Sequence, residues 1–530
     1  MYPETTPNSR IDPAVLLIPQ EQELRECSPR AHTPAATSRV TGNTFRGAVA
    51  VKGLSCLLIL PALVACTGET GDSSPPALSF AADCQGTTAN QFTQPPAFVP
   101  LAPSSFLPND GSVQAPLPLL TGAYGYNSFI PGSVGFPAVG GIYVDPILKG
   151  TIRRLTDTVG FPNQEDIYGH HWANANGSLA FSRTSTFNII STTTGAEVYT
   201  NQPLGLNHPL LGTVAPDIAW DAIDPNRYYF YQGANLTCRN LVEQRNVVKT
   251  FPAPLEPNGG SLNTQDRSGR YFTVRYGGSN KVWDSQTDRI YSGSVTPLNL
   301  NGWVAITPDG NYLVTAAGLN NEHYSYAIDH MNHSIGSTPV NFWTLCGDHG
   351  TLVSAANGKN YFITFDCNNF PGIYRVDITL DQNLNQPFKT EADQIAVNQL
   401  LLPLTFNSAT TASTNDGHLS AVSKEGPNQN WVFFDSETFL KTFPDGYDDF
   451  NSDPATSNWQ PYEQEIIAMN VVTLDVRRYA HHRSRGLSSS YYAQPRISCS
   501  WDGSIILWTS NYNISSPTGY ADMYGMAFSN

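Results

Sequence analysis

Histidine, arginine and tyrosine side chains recur at a fixed distance in front of a series of short turns in this sequence. Each turn contains glycine or asparagine and is followed by an aromatic or β-branched run. The residues nine positions before the turns, or at the similar place before the sixth, are Tyr168, Asp217, Gly260, Asn301, His349, His418 and Gln494. Two positions further on, and on the same face of an extended strand, lie His170, Trp303 and Arg496. A second group, the run from Arg477 to Arg483, contains His481 and His482 and leads towards Tyr491 and Tyr492.

These residue types could carry out acid–base chemistry or bind an anion. Histidine and tyrosine can exchange protons near neutral pH in a suitable environment, and arginine can hold a carboxylate through two hydrogen bonds. The alternative is structural, because polar residues at strand ends commonly bond to neighbouring sheets. His170 and His171 form a weaker pair, since adjacent residues on a strand face opposite ways.

Seven copies of one turn-and-strand pattern must position these side chains. The turns lie at Gly177, Asn226, Gly269, Gly310, Gly358, the segment Gly426 to Asn430, and Gly503. The first four steps between them are 49, 43, 41 and 48 residues, and a second hairpin follows each of the first three turns. A period of about 40 to 50 residues with four short strands per unit is typical of β-propellers. We therefore predict an all-β fold, a seven-bladed β-propeller of four-stranded antiparallel blades.

The ring of blades must also close. An open propeller leaves unpaired strand edges. We expect the region around Gly140 to Val144, followed by Gly150 to Leu155, to pair with the C-terminal segment TGYADMYGMAFSN.

Composition narrows the class of protein. Only 14% of residues are charged, against roughly 25% in a typical soluble protein, while Tyr, Phe, Asn, Ser, Thr and Gly are plentiful. This composition suits an extracytoplasmic all-β protein. The net charge of −15 argues against a nucleic-acid partner, because binding to phosphates needs a clustered basic surface.

The N-terminal part of the chain has the features of an export signal. Residues 1–50 are polar and predict no fold, consistent with a start codon assigned too early. Residues 51–65 hold a basic residue and the apolar run GLSCLLILPALVA, which is too short to span a bilayer. Leu63 to Cys66 resembles the lipobox of bacterial lipoproteins, in which the cysteine is lipidated; an ordinary signal with a chance cysteine is the alternative. We expect an extracytoplasmic protein anchored to the bacterial membrane by lipid, and to the outer membrane if the cell has one.

A proline-rich tether is predicted over residues 66–120, with the propeller over 121–530. Five cysteines follow Cys66. Cys346 and Cys367 flank the Asn357-Gly358 turn nearly symmetrically, so a disulfide across the strands of blade 5 is plausible in an oxidising compartment. An odd count leaves at least one thiol free, and the cysteine spacings match no zinc motif.

The sheet repeat, the Asp-Gly turns and the terminal pattern QPRISCSWDGSIILWTSN resemble the TolB-like and oligogalacturonate-lyase-like group of secreted propellers over roughly residues 140 to 530. In that lyase family the last blade carries two histidines, spaced i and i+2, that help to bind a divalent metal which neutralises the uronate carboxylate. Gln494 and Arg496 occupy those places here. The resemblance therefore implies a β-elimination in which arginine neutralises the uronate carboxylate, similar to that of propeller ulvan lyases. We assign no metal ligand and no cofactor, and binding of a divalent metal stays an open alternative.

Two functions remain after this comparison. In a lyase, Arg496 or Arg483 would hold the carboxylate, one of His170, His349 or His418 would assist proton abstraction, and Tyr492 would act as base or acid. In a non-catalytic propeller the same mouth would bind a glycan or a surface protein. Its ligand-binding residues would be Tyr168, Asp217, Asn301, Trp303, His481, His482 and Gln494. Binding by a monomer attached to the membrane only through its lipid is favoured, because the support for an enzyme is analogy of fold.

A long insertion separates two strands of blade 6. The segment FPDGYDDFNSDPATSNWQPYEQ holds Tyr447, Phe450, Trp459 and Tyr462 among acidic and small polar residues. It exceeds the two to five residues of an ordinary hairpin loop. We predict that it folds over a propeller face near His481 to Arg483 as one wall of the site; a solvated acidic flap is the alternative.

Overall fold

Seven turns, one in each repeat, are closed by the same backbone hydrogen bond in the computed structural model. In each, the amide before the turn donates to a carbonyl at or next to the start of the following strand. The pairs are Asn174 to Leu179, Asp221 to Arg227, Asp266 to Tyr271, Thr307 to Tyr312, Ala355 to Lys359, Val422 to Trp431 and Ser500 to Ile505. Six of these turns hold a glycine with positive φ, at Gly177, Gly269, Gly310, Gly358, Gly426 and Gly503. Glycine adopts this conformation at little cost, so the predicted turns are confirmed.

The structure describes residues 80–84, 137–145, 148, 150–157, 171–182, 187–202, 218–256, 264–296, 303–315, 322–345, 350–366, 372–382, 390–404, 416–437, 462, 464–484, 494–512 and 521–528. All of them belong to one unit, Ala77–Asn530. Cys66, the predicted signal and residues 1–50 lie outside this description. In the part described, no helix has the length and apolar character needed to cross a bilayer.

The two helices and the first two strands do not belong to the sheets of blades 1 to 6. They are α1 (Phe80–Cys84), α2 (Glu391–Val397), β1 (Ile142–Val144) and β2 (Thr151–Arg154). Blade 1 contains β3 (Leu179–Ser182), β4 (Asn188–Ser191) and β5 (Glu197–Tyr199). Blade 2 contains β6 (Ile218–Trp220), β7 (Arg227–Gln232), β8 (Asn235–Asn240) and β9 (Arg245–Thr250). Blade 3 contains β10 (Tyr271–Tyr276), β11 (Ser279–Asp284) and β12 (Arg289–Ile290).

Blades 4 to 7 continue the same order along the chain. Blade 4 contains β13 (Val304–Ile306), β14 (Tyr312–Thr315), β15 (His323–Asp329), β16 (Ser334–Ile335) and β17 (Val340–Trp343), and blade 5 contains β18 (Thr351–Ser354), β19 (Asn360–Asp366), β20 (Gly372–Asp377) and β21 (Gln399–Pro403). Blade 6 contains β22 (Asp416–Ala421), β23 (Trp431–Glu437), β24 (Glu465–Asn470) and β25 (Val476–His481), and the C-terminal strands of blade 7 are β26 (Ser498–Cys499), β27 (Ile505–Ser510) and β28 (Asp522–Ala527).

The described strands form seven antiparallel sheets, three of four strands, two of five and two of three. Blades 1 and 3 show three strands each, and isolated bridges, Ala173 to Ala180 and Gln265 to Phe272, stand where the innermost strand would be. The predicted seven-bladed β-propeller is therefore confirmed.

Blade 7 closes the ring by combining both ends of the propeller. Its strand order is β26, β27, β28, β2 and β1, with Arg153 opposite Gly525 and Arg154 opposite Tyr524. The guanidinium of Arg154 donates to Asp522 at the start of β28. The expected pairing with the C-terminal segment is thus confirmed for β2, β1 pairs with β2 as the outer strand, and β28 lies inside the sheet.

Hydrogen bonds also link each blade to the next around the turns. Going round from blade 1, they run from Asn174 to Pro225, Gln265 to Trp220, Arg267 to Pro308, Asp309 to Ser354, Gln429 to Ser354, Asn428 to Asp502 and Ser504 to Asn176. Seven links join seven blades, so the ring is continuous.

The hydrophobic core lies between the blades. One cluster joins blades 7, 1 and 2, where Phe181 stacks on Trp220 at 4.3 Å between ring centroids. Blades 4 and 5 meet through Trp303, Phe342 and Phe362, and four further clusters fill the remaining interfaces. A single blade has two faces to cover, and the neighbouring blades cover them.

The helix α1 is attached to blade 2 although it lies within the tether predicted for residues 66–120. Cys84 forms a disulfide with Cys238 on β8, and Phe80 packs against Tyr229 and Trp283. The sequence interpretation did not single out this cysteine pair. Cys346 and Cys367 lie outside the described residues, so the disulfide predicted between them stays a prediction.

Candidate functional site

His418 lies near the start of the innermost strand of blade 6, as the turn counting predicts. The pairing of β22 with β23 sets His418 directly opposite Asp435 and places position 437 two pairs further along. Residues two apart on a strand share a face. The imidazole and the two carboxylates of Asp435 and Glu437 are therefore brought together by register alone.

The three side chains are in close contact and mostly buried. His418 Nδ1 lies 3.1 Å from Glu437 Oε1 and 3.9 Å from Asp435 Oδ1. The side chain of His418 is 15% exposed, whereas those of Asp435 and Glu437 are 0% and 1% exposed. The cluster thus consists of two buried carboxylates and one partly exposed imidazole.

Blade 7 supplies the adjoining wall of this cluster. The backbone amide of Ile497 donates to Asp435 Oδ2 at 2.8 Å, and the amide of His418 donates to Asp435 Oδ1. Asp435 therefore joins the two chain segments. Arg496, next to Ile497, is buried and has a φ of 48°. The structure thus brings His418 and Arg496, both predicted site residues, to the same boundary.

A buried ion pair lies at the same end of blade 6. Arg478 on β25 donates from two guanidinium nitrogens to both oxygens of Glu465, at the start of β24. The ring of Tyr462, near the end of the long insertion, lies 5.3 Å from the Arg478 guanidinium. Burial opposes the charge on Arg478, but Glu465 outweighs this effect and raises its pKa. The rest of the insertion, apart from Gln464, lies outside the described residues, so its role as a wall stays a prediction.

His481 and Arg483 contact the N-terminal part of the propeller. Asp145 Oδ2 accepts the His481 amide at 3.0 Å and lies 3.2 Å from His481 Nδ1. The Arg483 guanidinium lies 5.5 Å from the Tyr143 ring and 5.8 Å from the Tyr512 ring. Burial alone would raise the pKa of Asp145, but His481 and Arg483 outweigh it and hold that pKa well below its usual range. These contacts stabilise the closure of the ring.

His482 is held between two backbone groups. Its Nε2 lies 3.0 Å from the Ser436 carbonyl oxygen, and its Nδ1 lies 3.1 Å from the Ser484 amide nitrogen. Because that amide is a donor, Nδ1 accepts and Nε2 donates, which fixes a neutral tautomer. This contact ties the end of β25 to β23.

His171, set aside in the sequence interpretation, bridges two other blades. Its ring nitrogens lie 3.0 Å from Cys499 O and 3.0 Å from Ser423 Oγ, and it stacks on Trp501 at 4.2 Å. Burial lowers the pKa of His171 to about 4, so its imidazole is uncharged near pH 7 and links blades 6 and 7 through hydrogen bonds. Burial also raises the pKa of the free thiol of Cys499 to about 12, and this cysteine stays protonated.

The remaining predicted site residues divide into two groups. Trp303 is buried and packs on Phe362 of the next blade at 5.9 Å, so it contributes to packing between blades. Gln494 is partly exposed, and its backbone oxygen accepts from Thr509 Oγ1. The predicted residues outside the described part of the chain are Tyr168, His170, Asp217, Asn301, His349 and Tyr492.

At the end of the ring opposite to His418, an ion pair joins two blades. Arg267, in a turn of blade 3, forms an ion pair with Glu425, in a turn of blade 6, at 2.5 Å. Blades 3 and 6 are not neighbours, so this pair spans the ring at the end where the turns lie. His418 is at the other end, where the innermost strands begin.

Comparisons with known proteins find distant similarity among solved structures. No family model matches the sequence, and no curated protein matches it significantly. An oligogalacturonate lyase from Vibrio parahaemolyticus is 11% identical with a TM-score of 0.45, covering 72% of this chain and 95% of its own. An oligogalacturonate lyase in complex with manganese is 13% identical with a TM-score of 0.43, covering 73% and 96%. The propeller domain of Cps50 (Swd1) from Myceliophteria thermophila is 13% identical with a TM-score of 0.36, covering 69% and 98%.

Proposed function

We propose that this chain is a ligand-binding β-propeller that takes a glycan at the mouth where the innermost strands of blades 6 and 7 begin. The observation that carries the proposal is the cluster of His418, Asp435 and Glu437 beside the buried Arg496. Burying ionisable groups is costly unless they are paired. Such groups in one place are more typical of functional sites than of packing.

Blade packing does not require this polarity. The interface of blades 4 and 5 is filled by Trp303, Phe342, Phe362 and their apolar neighbours. The His418 imidazole and the Glu437 carboxylate are therefore additions to apolar blade packing, whereas Asp435 also joins blade 6 to blade 7.

The chemistry of the cluster favours a hydroxyl-rich ligand. The imidazole of His418 is the partly exposed member of the cluster, and sugar hydroxyls can both donate hydrogen bonds to an imidazole and accept them from it. The net charge of −15 makes a highly anionic polymer a less favourable ligand over the whole surface. A protein ligand is the alternative outcome of the test below.

Glycan binding is best tested with an immobilised glycan array that includes neutral and uronic-acid oligosaccharides. The probe is the secreted chain and its His418→Ala variant, with His330→Ala as the matched control. His330 is also a partly buried histidine, hydrogen-bonded to Tyr291 and Gly310 at another interface. We expect His418→Ala to weaken binding by about tenfold or more, a loss of about 1.4 kcal/mol, and the control to bind as the unmodified chain does. Equal binding by all three, or binding to no glycan, would refute the proposal.

A lyase is the second candidate, because His418 Nδ1 lies 3.1 Å from Glu437 Oε1. A carboxylate that orients an imidazole is a common arrangement for a general base. Incubation with oligogalacturonate would then produce an unsaturated product and rising ultraviolet absorbance, which His418→Ala would abolish. Binding without any rise in absorbance would favour the non-catalytic function.

We also propose that lipid at Cys66 anchors the protein outside the cytoplasm. The lipobox-like sequence Leu63 to Cys66 supports this location. Metabolic labelling with a fatty acid should mark the unmodified chain and not Cys66→Ser. Equal labelling of both chains would rule out Cys66 as the attachment point.

A further inference from the structure

We infer that His418, Asp435 and Glu437 form a divalent-cation site. Three donor atoms, one from each residue, lie within 4.8 Å of one another. The inference depends on this geometry and not on the glycan proposal, so either one can fail without the other.

The spacing of the donor atoms suits a bound ion. Transition-metal ions bind imidazole nitrogen and carboxylate oxygen at about 2.0–2.2 Å, so two ligands of one ion lie about 3.0–3.5 Å apart. His418 Nδ1 is 3.1 Å from Glu437 Oε1 and 3.9 Å from Asp435 Oδ1. Both distances from the imidazole nitrogen are therefore at or close to this separation, and the pairing of β22 with β23 holds the backbone of all three residues in place.

Charge gives a second reason. Asp435 and Glu437 are 0% and 1% exposed, and two carboxylates buried close together repel each other. Backbone amides of His418 and Ile497 offset part of the charge on Asp435. A divalent cation would bind both carboxylates together with the imidazole, which coordinates metals in its neutral form.

The donor set also indicates the kind of ion. Carboxylates suit Mn²⁺ and imidazole suits Zn²⁺, so one nitrogen and two carboxylates favour these ions over Ca²⁺, which prefers oxygen ligands. Three protein ligands leave coordination positions for water or for a ligand. The exposed edge of His418 places those positions at the mouth.

The test uses the folded chain after removal of metals with EDTA and dialysis. Mn²⁺ alone is the probe, and its binding is followed by calorimetry and by electron paramagnetic resonance of the free ion. Glu437→Gln removes one ligand charge with little change in shape. Glu425→Gln, at a 68% exposed side chain in a turn of the same blade, is the matched control.

We expect one Mn²⁺ to bind per chain, with affinity at least about tenfold weaker in Glu437→Gln and unchanged in Glu425→Gln. Bound Mn²⁺ should also raise the melting temperature of the unmodified chain, a readout that needs no variant. If Mn²⁺ and Zn²⁺ both fail to bind and fail to shift the melting temperature, the inference is wrong. It is equally wrong if Glu437→Gln binds Mn²⁺ as tightly as the control.

Discussion

His418 shows which part of a site a linear sequence can indicate. Its place before a turn identifies it as a residue at the mouth, and the structure puts it near the start of β22. Its partners Asp435 and Glu437 were not predicted, because the counting covered only the innermost strand of each blade. The alternation Asp435-Ser436-Glu437 at the end of the next strand was the available signal. Using it would have required the register between the two strands.

Asp145 carries a pH-dependent part of the stability. Its pKa is held below the ordinary value in the folded state, and its unfolded pKa is about 3.9. The stabilisation is therefore fully present above about pH 4 and declines as the pH falls towards the folded pKa. Replacing Asp145 by Asn should cost about 3–5 kcal/mol at pH 7, as expected when one partner of a buried ion pair is removed.

Melting temperatures of the unmodified chain and Asp145→Asn, measured from pH 7 to pH 3, test this assignment. The gap between the two should narrow below about pH 4. A gap of constant size across the range would show that Asp145 contributes through shape and hydrogen bonding alone.

At the scale of elements, the turns were the most predictable feature. Gly503 has a φ of 70°, and a Cβ added there would lie 2.5 Å from Val422 Cγ2 of the neighbouring blade. Gly503→Ala should therefore combine about 1 kcal/mol of backbone cost with about 1–3 kcal/mol of overpacking. Gly233→Ala is the matched control, because Gly233 has a φ of 56° and nothing within 4 Å of an added Cβ.

Chemical denaturation of both glycine variants separates the two effects. Gly233→Ala should lose only the backbone cost, and Gly503→Ala should lose clearly more. Equal losses would mean that the blade interface at Val422 relaxes to accept the methyl group.

Other element-scale features could not be predicted. The disulfide between Cys84 and Cys238 joins residues 154 positions apart, and pairing over such a distance depends on where α1 docks. His481 and His482 were assigned to ligand binding, and the structure shows them contacting Asp145 and the backbone around Ser436. A sequence reveals that a polar residue ends a strand but not which neighbour it meets.

At the scale of the whole molecule, closure explains how both ends of the propeller contribute to stability. All six residues of β28 are buried, and the strand pairs with β27 on one side and β2 on the other. Deleting Tyr520 to Asn530 should expose both edges and cause aggregation. Deleting only Ser529 and Asn530 is the control, since it leaves β28 intact.

Expression followed by size-exclusion chromatography distinguishes the outcomes. The longer deletion should elute as aggregate or be lost, and the shorter one should elute as the unmodified chain does. A monomeric longer deletion with an unchanged melting temperature would place the closure elsewhere.

The number of blades was predictable because each repeat satisfies its turn locally, and the ring follows once seven such sheets must cover one another. The function was not, since the repeat fixes where side chains stand but not what they bind. The central prediction is therefore the end of the ring at which the ligand binds.

Hydrogen–deuterium exchange with and without oligogalacturonate, and with a neutral oligosaccharide as a second probe, tests this point most directly. Ligand binding at the predicted mouth should slow exchange in residues 416–421, 431–437 and 494–499 and leave the turns at 266–270 and 307–311 unchanged. Slowed exchange confined to those turns, or no change with either probe, would contradict the assignment of the site to blades 6 and 7.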